Sequence, residues 1–340
     1  MVNSFSLLSV FSLVLTLGVV FVNGLTDAPN AISTATVTRC IKLKPALIMS
    51  AIFNFFGVVV MSSINNSVTV TISNIVDFGN NQYYSSVALS AALFSIVIWA
   101  VTAWYFGIPT SESHALVAGL TGSALAINNG LSGVNYIEWL KTVKGLFVSC
   151  GFGFIAGFVV CKIIIIIFKN IKRHKAESFF KYGQILASAA MSFMHGAQDG
   201  QKFVAVCLMC ISFSGNNNLS QKNIILLTLL CSFVISLGTL CGGKKIIKSI
   251  GMDMVHLEKY QGFSADVAAS VGLLLSTLWG LPVSTTHAKT TAMMGAGMAG
   301  QGRGVNLSVI KDIALTWVLT FPGCGFIGFA VTKIFLRIFS

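Results

Sequence analysis

Charge is what this chain has least of. Only 9% of its 340 residues are Asp, Glu, Lys or Arg, against 55% hydrophobic, and the mean hydropathy is +0.83. That leaves too little polar surface to cover a soluble globule. The net charge of +12 therefore has no soluble face on which to bind nucleic acid, and membrane topology is its better explanation. Cysteine patterning is also missing. The eight cysteines are scattered, and Cys207-Leu-Met-Cys210 has no second Cys or His pair at zinc spacing, so they read as small buried hydrophobes and no cofactor is expected. The run Phe5–Val22 lacks a basic segment before it and a small-residue cleavage site after it, and no arginine precedes it. It is expected to remain as a first membrane helix rather than a signal or transit peptide. A paired nucleophile and base, a Cys-x5-Arg loop and an aspartate cluster of the DxxxD type are all wanting, which speaks against an enzyme acting on lipid phosphates.

What the chain has instead is long apolar runs. Phe5–Val22, Pro45–Ser62, Val87–Trp104, Leu146–Phe168, Ile224–Leu240 and Asp312–Ile338 are long enough, or nearly so, to cross a hydrocarbon core of roughly 30 Å as helices. The expectation is an all-α polytopic membrane protein of about ten crossings, five per half, and more if half-helices are counted separately. Lys and Arg concentrate near Arg39–Lys44, Lys169–Lys181, Lys244–Lys259 and Arg303–Lys311. Placing the N-terminus outside makes these segments cytoplasmic. Lys141, Lys144, Lys222, Lys333 and Arg337 depart from that pattern.

The chain also repeats itself. Gly107-Ile-Pro-Thr-Ser-Glu-Ser-His-Ala115 returns about 173 positions later as Gly280-Leu-Pro-Val-Ser-Thr-Thr-His-Ala288. Asn23-Gly-Leu-Thr-Asp27 returns as His195-Gly-Ala-Gln-Asp199, and the glycines around Gly153 and Gly157 return around Gly325 and Gly328. Three anchors at one offset divide the chain into a first transmembrane repeat over 1–168, a basic cytoplasmic linker over 169–182 and a second repeat over 183–340. An odd number of crossings per copy inverts one copy against the other, so that both Asp motifs and both Pro motifs converge near mid-bilayer. The glycines suit close helix packing within the subunit or a dimer contact. The alternating Val68–Ile72 stretch reads as an outside loop or interfacial element without chemistry.

Charges inside apolar segments are costly, so Asp27, Glu112, Asp199, Lys202, Asp266 and Lys289 call for explanation. Asp27 and Asp199 lie at expected helix breaks, where freed carbonyls, a carboxylate and the oxygens of Thr26, Asn30 or Gln198 form an oxygen cage for a small hard cation or a proton; the plainer reading is a capping carboxylate. In the Pro motifs, proline ends one helix and hydroxyl residues begin the next. The N–H groups there, with Thr110, Ser111, Ser113, Ser284, Thr285 and Thr286, suit a tetrahedral oxyanion, helped by Asn30, Gln201 and Lys202; ordinary N-capping is again the plainer reading. Lys202, three residues after Asp199, either meets the anion or neutralises Asp199 when the site is empty. His114 and His287 bind substrate or a proton, or simply hold the kink. Glu112 and Asp266 serve the coupling ion or act as local partners of a hydroxyl or lysine.

At these residues the chain resembles the inorganic phosphate transporter (PiT) family. The family signatures NGxNDxxNA and HGxNDxQK appear as Asn23–Ala31 and His195–Lys202, and a G-[IL]-P-x-S-x-x-H motif appears in each half at Gly107–His114 and Gly280–His287. Thr26 and Gln198 stand where the family has Asn, which leaves oxygen ligands but bears on ion preference. The Glu that animal members carry near Asn54 is absent, as is their long insert, which points to a prokaryotic cell membrane. The resemblance implies import of inorganic phosphate by symport with Na⁺ or H⁺ through alternating access, as a homodimer, with the Pro motifs holding phosphate and the Asp motifs the cation. Transport of another oxyanion or of a metal–phosphate complex, and an anion channel, are the competing readings.

Overall fold

In the computed structural model, residues 2–106, 110–215, 220–243, 247, 254–300 and 305–339 are described. The Gly-Pro step of the first Pro motif, expected at Gly107–Pro109, and the parts 244–246, 248–253 and 303–304 of two expected basic loops lie outside these residues. The described residues are helical apart from short connections and two isolated bridges, Val76 with Val134 and Val255 with Val305.

The helices are α1 (Val2–Thr26), α2 (Ala28–Ala31), α3 (Ser33–Val37), α4 (Leu43–Ile64), α5 (Ser67–Ser73), α6 (Gln82–Phe106), α7 (Glu112–Asn128), α8 (Tyr136–Phe168), α9 (Arg173–Phe213), α10 (Gln221–Cys241), α11 (Lys259–Leu278), α12 (Thr285–Ala299) and α13 (Leu307–Ile338). Among the described residues, 6 helices are long and apolar enough to cross a membrane: α1 with α2, α4, α6, α8, α10 and α13. The helices α7, α9, α11 and α12 are not among them.

The distribution of polarity is that of a protein in lipid. Phe147, Ile155, Ile166, Leu186 and Phe326 point outward, whereas Asn23, Asp27, Asn54, Glu112, Asp199, Lys202, Asp266 and Lys289 are buried. In water this arrangement would expose apolar surface and dehydrate charge; in a bilayer it hides the charges from hydrocarbon.

Packing follows the repeat. Helix α7 lies against α13 and α12 against α8, while α9 lies against α4 and α1 against α10. Exchanging α1 with α9, α4 with α10, α7 with α12 and α8 with α13 converts each contact into its partner contact. The repeated glycines mediate these approaches. A Cβ on Gly122 would stand 2.0 Å from the Gly325 carbonyl oxygen, and one on Gly157 2.3 Å from that of Ala292, so both are internal packing positions.

Three expectations change. First, α9 runs unbroken from Arg173 to Phe213, through Asp199. The first copy does break, because Pro29 has no N–H for the Leu25 carbonyl and its ring crowds that turn; the second copy has no proline there, and its backbone ladder continues. Second, 173–182 forms the first turns of α9, so only 169–172 joins the halves as a connection. Third, Val68–Ile72 is helical, within α5, and its residues Val68, Thr69, Thr71 and Ile72 are buried. Cys207 and Cys210 turn to separate neighbours, Cys231 at 3.4 Å and Thr16 at 3.3 Å, inside the apolar core.

Candidate substrate site

The two Pro motifs build twin helix starts. Ser111 caps α7 by accepting from the His114 N–H at 3.3 Å, and Ser284 caps α12 by accepting from the His287 N–H at 3.1 Å. The caps touch, Ser111 Oγ donating to Ser284 Oγ at 2.8 Å. One turn further in, the His114 and His287 rings meet edge to face with centroids 4.2 Å apart. His287 also stacks on Trp317 at 3.6 Å. The histidines therefore sit behind the caps; neither ring nitrogen of His114 has a protein partner, and His287 Nδ1 lies 3.4 Å from Cys150 Sγ.

The second motif is braced from the first half. Gly280 takes the left-handed conformation, φ +64, that lets the chain turn into Leu281–Val283, and a Cβ there would stand 2.6 Å from Ser67 Cβ. Thr71 Oγ1 donates to the Gly280 carbonyl at 3.0 Å, and Gln198 Nε2 donates to that of Leu281 at 2.9 Å. Gln201 Nε2 reaches the Asn65 carbonyl at 2.8 Å, and Thr69 Oγ1 donates to the Gln201 carbonyl at 3.1 Å. Helix α5, to which the sequence reading assigned no chemistry, thus positions the second motif.

Beside the caps lies a cation of the protein itself. Lys202 Nζ donates to Ser113 Oγ of α7, to the Val283 carbonyl just before the α12 cap and to Asp199 Oδ1, each at 2.6 Å. Of the two readings of Lys202, the geometry displays the neutralising one, and it also sets the ammonium against both Pro motifs. Asp199 Oδ2 accepts from Thr285 Oγ1 at 3.0 Å and from Asn23 Nδ2 at 3.3 Å. His195 approaches Asp199 at 3.3 Å and is oriented by Asn54 Oδ1, 2.8 Å from its Nδ1.

Asp27 is built differently. Asn23 Nδ2 donates to it at 3.4 Å, so one amide links both motif carboxylates, and the Glu112 N–H donates to Asp27 Oδ2 at 3.3 Å. Thr286 lies beside it. Thr26 Oγ1 donates to Glu112 Oε1 at 3.2 Å, which makes Glu112 the local partner of a hydroxyl as well as a neighbour of the site. Asp199 and Asp266 each pair with a lysine; among the described residues, no lysine, arginine or histidine forms an ion pair with Asp27 or Glu112.

The structure thus joins Thr26, Asp27, Ser113, Thr285, Asp199 and Lys202 in one buried network, through Asn23 and Glu112, and sets the Ser111–Ser284 pair beside it. Thr110 and Asn30 are buried beside it but make no hydrogen bond to it, and Gln198 and Gln201 use their amide nitrogens on the loops. Both amide atoms of Asn30, together with Gln198 Oε1, Gln201 Oε1 and Glu112 Oε2, are buried without a protein partner. Buried polar groups require partners, so these atoms are suited to a polar substrate or ion. Among the described residues, no three His, Cys, Asp or Glu side chains are grouped so as to hold a metal ion. Sequence reasoning missed Asn23 and His195 as site residues, although both open the motifs already singled out. Asn54 gave no signal within the motifs.

A family model described as the phosphate transporter family matches residues 23–328. The chain belongs to that family. It is 32% identical over 317 residues to the probable low-affinity inorganic phosphate transporter of Bacillus subtilis (strain 168), with 93% of each protein covered. It is 31% identical over 312 residues to the protein of the same description in Rhizobium meliloti (strain 1021), with 90% of each covered. Its fold matches a solved structure entitled the sodium-dependent phosphate transporter with a TM-score of 0.85 at 24% identity, covering 98% of this chain and 100% of that one. Membership, with the apolar helices, makes this a multi-pass membrane protein for phosphate transport and not an enzyme.

Proposed function

We propose that the chain imports inorganic phosphate together with Na⁺ or H⁺, by alternating access around one buried site. The observation that carries this reading is the meeting of two capped helix starts at Ser111 and Ser284, with Lys202 bonded to a residue of each Pro motif and the lysine-free carboxylates Asp27 and Glu112 alongside. Helix N-termini and an ammonium attract a tetrahedral anion. Ser111, Ser113, Ser284, Thr285, Thr286 and Thr110 supply hydroxyls around it, with Asn30 and Gln201 offering amide atoms. On this reading Lys202 turns from Asp199 to the arriving phosphate.

Asp27 then takes the cation, with Thr26, Asn30 and the carbonyls freed at the Pro29 break. Asp199, released from Lys202, completes the cation's surroundings, and Gln198 lies one residue away. The cation offsets the charge of the anion, so a fully loaded site moves more readily than a partly loaded one, and this linkage enforces symport. The sodium-dependent description of the structural neighbour favours Na⁺.

The exchangeable packing of the two halves supports inverted repeats that rock against each other. The bacterial relatives support a plasma-membrane location, and the exposed apolar faces accommodate lipid or a second copy in a homodimer.

Purified protein in liposomes should accumulate labelled phosphate under an inward Na⁺ or H⁺ gradient. Uptake that ignores both gradients overturns symport, and stronger competition by sulfate or by a metal–phosphate complex than by phosphate reassigns the substrate.

A further inference from the structure

A second buried ionic cluster lies outside the site just described. Asp266 of α11 is paired with Lys289 of α12, and its carboxylate also accepts from Thr34 Oγ1 of α3 at 2.8 and 3.0 Å, from Gln184 Nε2 at 2.6 Å and from Ser188 Oγ at 2.5 Å, the last two on α9. Lys289 Nζ donates in turn to Thr34 Oγ1 at 3.0 Å, and the Oε1 of the Gln184 amide is buried without a protein partner. All five residues are 0% exposed.

Four elements converge here, and three of them lead directly to the substrate site. Helix α3 follows the break at Asp27, α9 carries Asp199 three turns further on, and Lys289 stands one turn beyond Thr285. The hydroxyls of Thr34 and Ser188 and the Gln184 amide nitrogen surround this carboxylate, and the Gln184 Oε1 beside them is unpartnered; carboxylate, hydroxyl and amide oxygens are the donor set of a site for a small hard cation, and the place of the cation is filled by an ammonium on a side chain.

We propose that Lys289 is a tethered cation in an oxygen cage around Asp266, and that it sets how many mobile cations the transporter requires. With the ammonium in place, Asp266 is neutralised in every conformation and needs no ion from solution. Without it, a buried carboxylate stands unpaired, which is strongly unfavourable. The cage of Asp266, Thr34, Ser188 and Gln184 then recruits Na⁺. The effect on transport rests on the symport reading; the cation cage itself does not.

The test uses the full chain, purified as wild type, Lys289→Met and the neutral pair Asp266→Asn with Lys289→Met. Thermal melting is measured in NaCl and in choline chloride at equal ionic strength. Lys289→Met should gain a Na⁺-dependent rise in melting midpoint over wild type of about 5 °C, and the neutral pair should lose that gain. In liposomes, phosphate uptake by Lys289→Met should depend more steeply on Na⁺ than wild-type uptake. Equal Na⁺ dependence in Lys289→Met and wild type overturns the proposal. So does a Lys289→Met protein that folds in neither salt, since a competent cage would be rescued by Na⁺; folding in NaCl alone supports it. Wild-type liposomes indifferent to every cation gradient overturn the symport reading and leave the melting result to decide the cage.

Discussion

Ser111 and Ser284 stand 173 positions apart in the chain and 2.8 Å apart in space. Each begins a helix by capping the N–H of a histidine three residues on, so the contact joins two helix starts of equal construction head to head. Two positive dipole ends facing one point repel each other and favour an anion between them.

Removing these caps should therefore have two separable effects. Ser111→Ala and Ser284→Ala should each lower stability by roughly 1 kcal/mol, the usual cost of a lost N-cap. Each should also raise the KM for phosphate with a smaller change in maximal rate. Melting curves and uptake kinetics read the two effects independently; an unchanged KM would make the serines caps alone.

The two motif aspartates should respond differently to the same substitution. Asp27→Asn removes a carboxylate that has no lysine, so the protein should melt near wild type while uptake loses its response to the cation gradient. Asp199→Asn strands Lys202 in the interior, with an expected cost of about 3–5 kcal/mol on top of lost uptake. The pair Asp199→Asn with Lys202→Met should recover the melting temperature but not uptake.

Close helix contact makes a sharp steric prediction. Gly122→Ala places a Cβ 2.0 Å from the Gly325 carbonyl oxygen, with nothing flexible to yield, and should cost about 1–3 kcal/mol by overpacking. Gly151→Ala, where no atom lies within 4 Å, should be neutral or slightly stabilising. Equal melting of the two variants would disprove the α7–α13 contact.

Asn54 should matter for transport without touching substrate. Its Oδ1 orients His195, which leans on Asp199. Asn54→Leu should lower uptake about tenfold, through a cost on the order of 1.4 kcal/mol if one buried hydrogen bond is lost. Asn54→Asp, which keeps an acceptor at that position, should recover part of the activity.

The membrane class and the members of both motifs were legible in the linear order, because each rests on local composition or on residue types at fixed spacing. The break at Asp27 was equally legible, since Pro29 lies two residues on. Its supposed twin at Asp199 was not, because a glycine within a long apolar stretch does not by itself break a helix and the second copy lacks the proline. Asp266 and Lys289 were recognisable as costly buried charges, yet nothing in their spacing said that they belong to each other.

By itself, the sequence determined that this is a membrane protein whose few charges gather at two kinds of motif, each written twice; hydrophobic run length and the penalty on buried charge act locally and leave their mark on composition. Only the tertiary structure decided which carboxylates are neutralised by lysine, that Asn23 links Asp27 to Asp199, and that Thr34 meets Lys289 across 255 positions. Local spacing sets what faces the same side of one helix, whereas the partners of a buried charge are chosen by how helices pack, and that packing is fixed by close approach at glycines scattered over the whole chain.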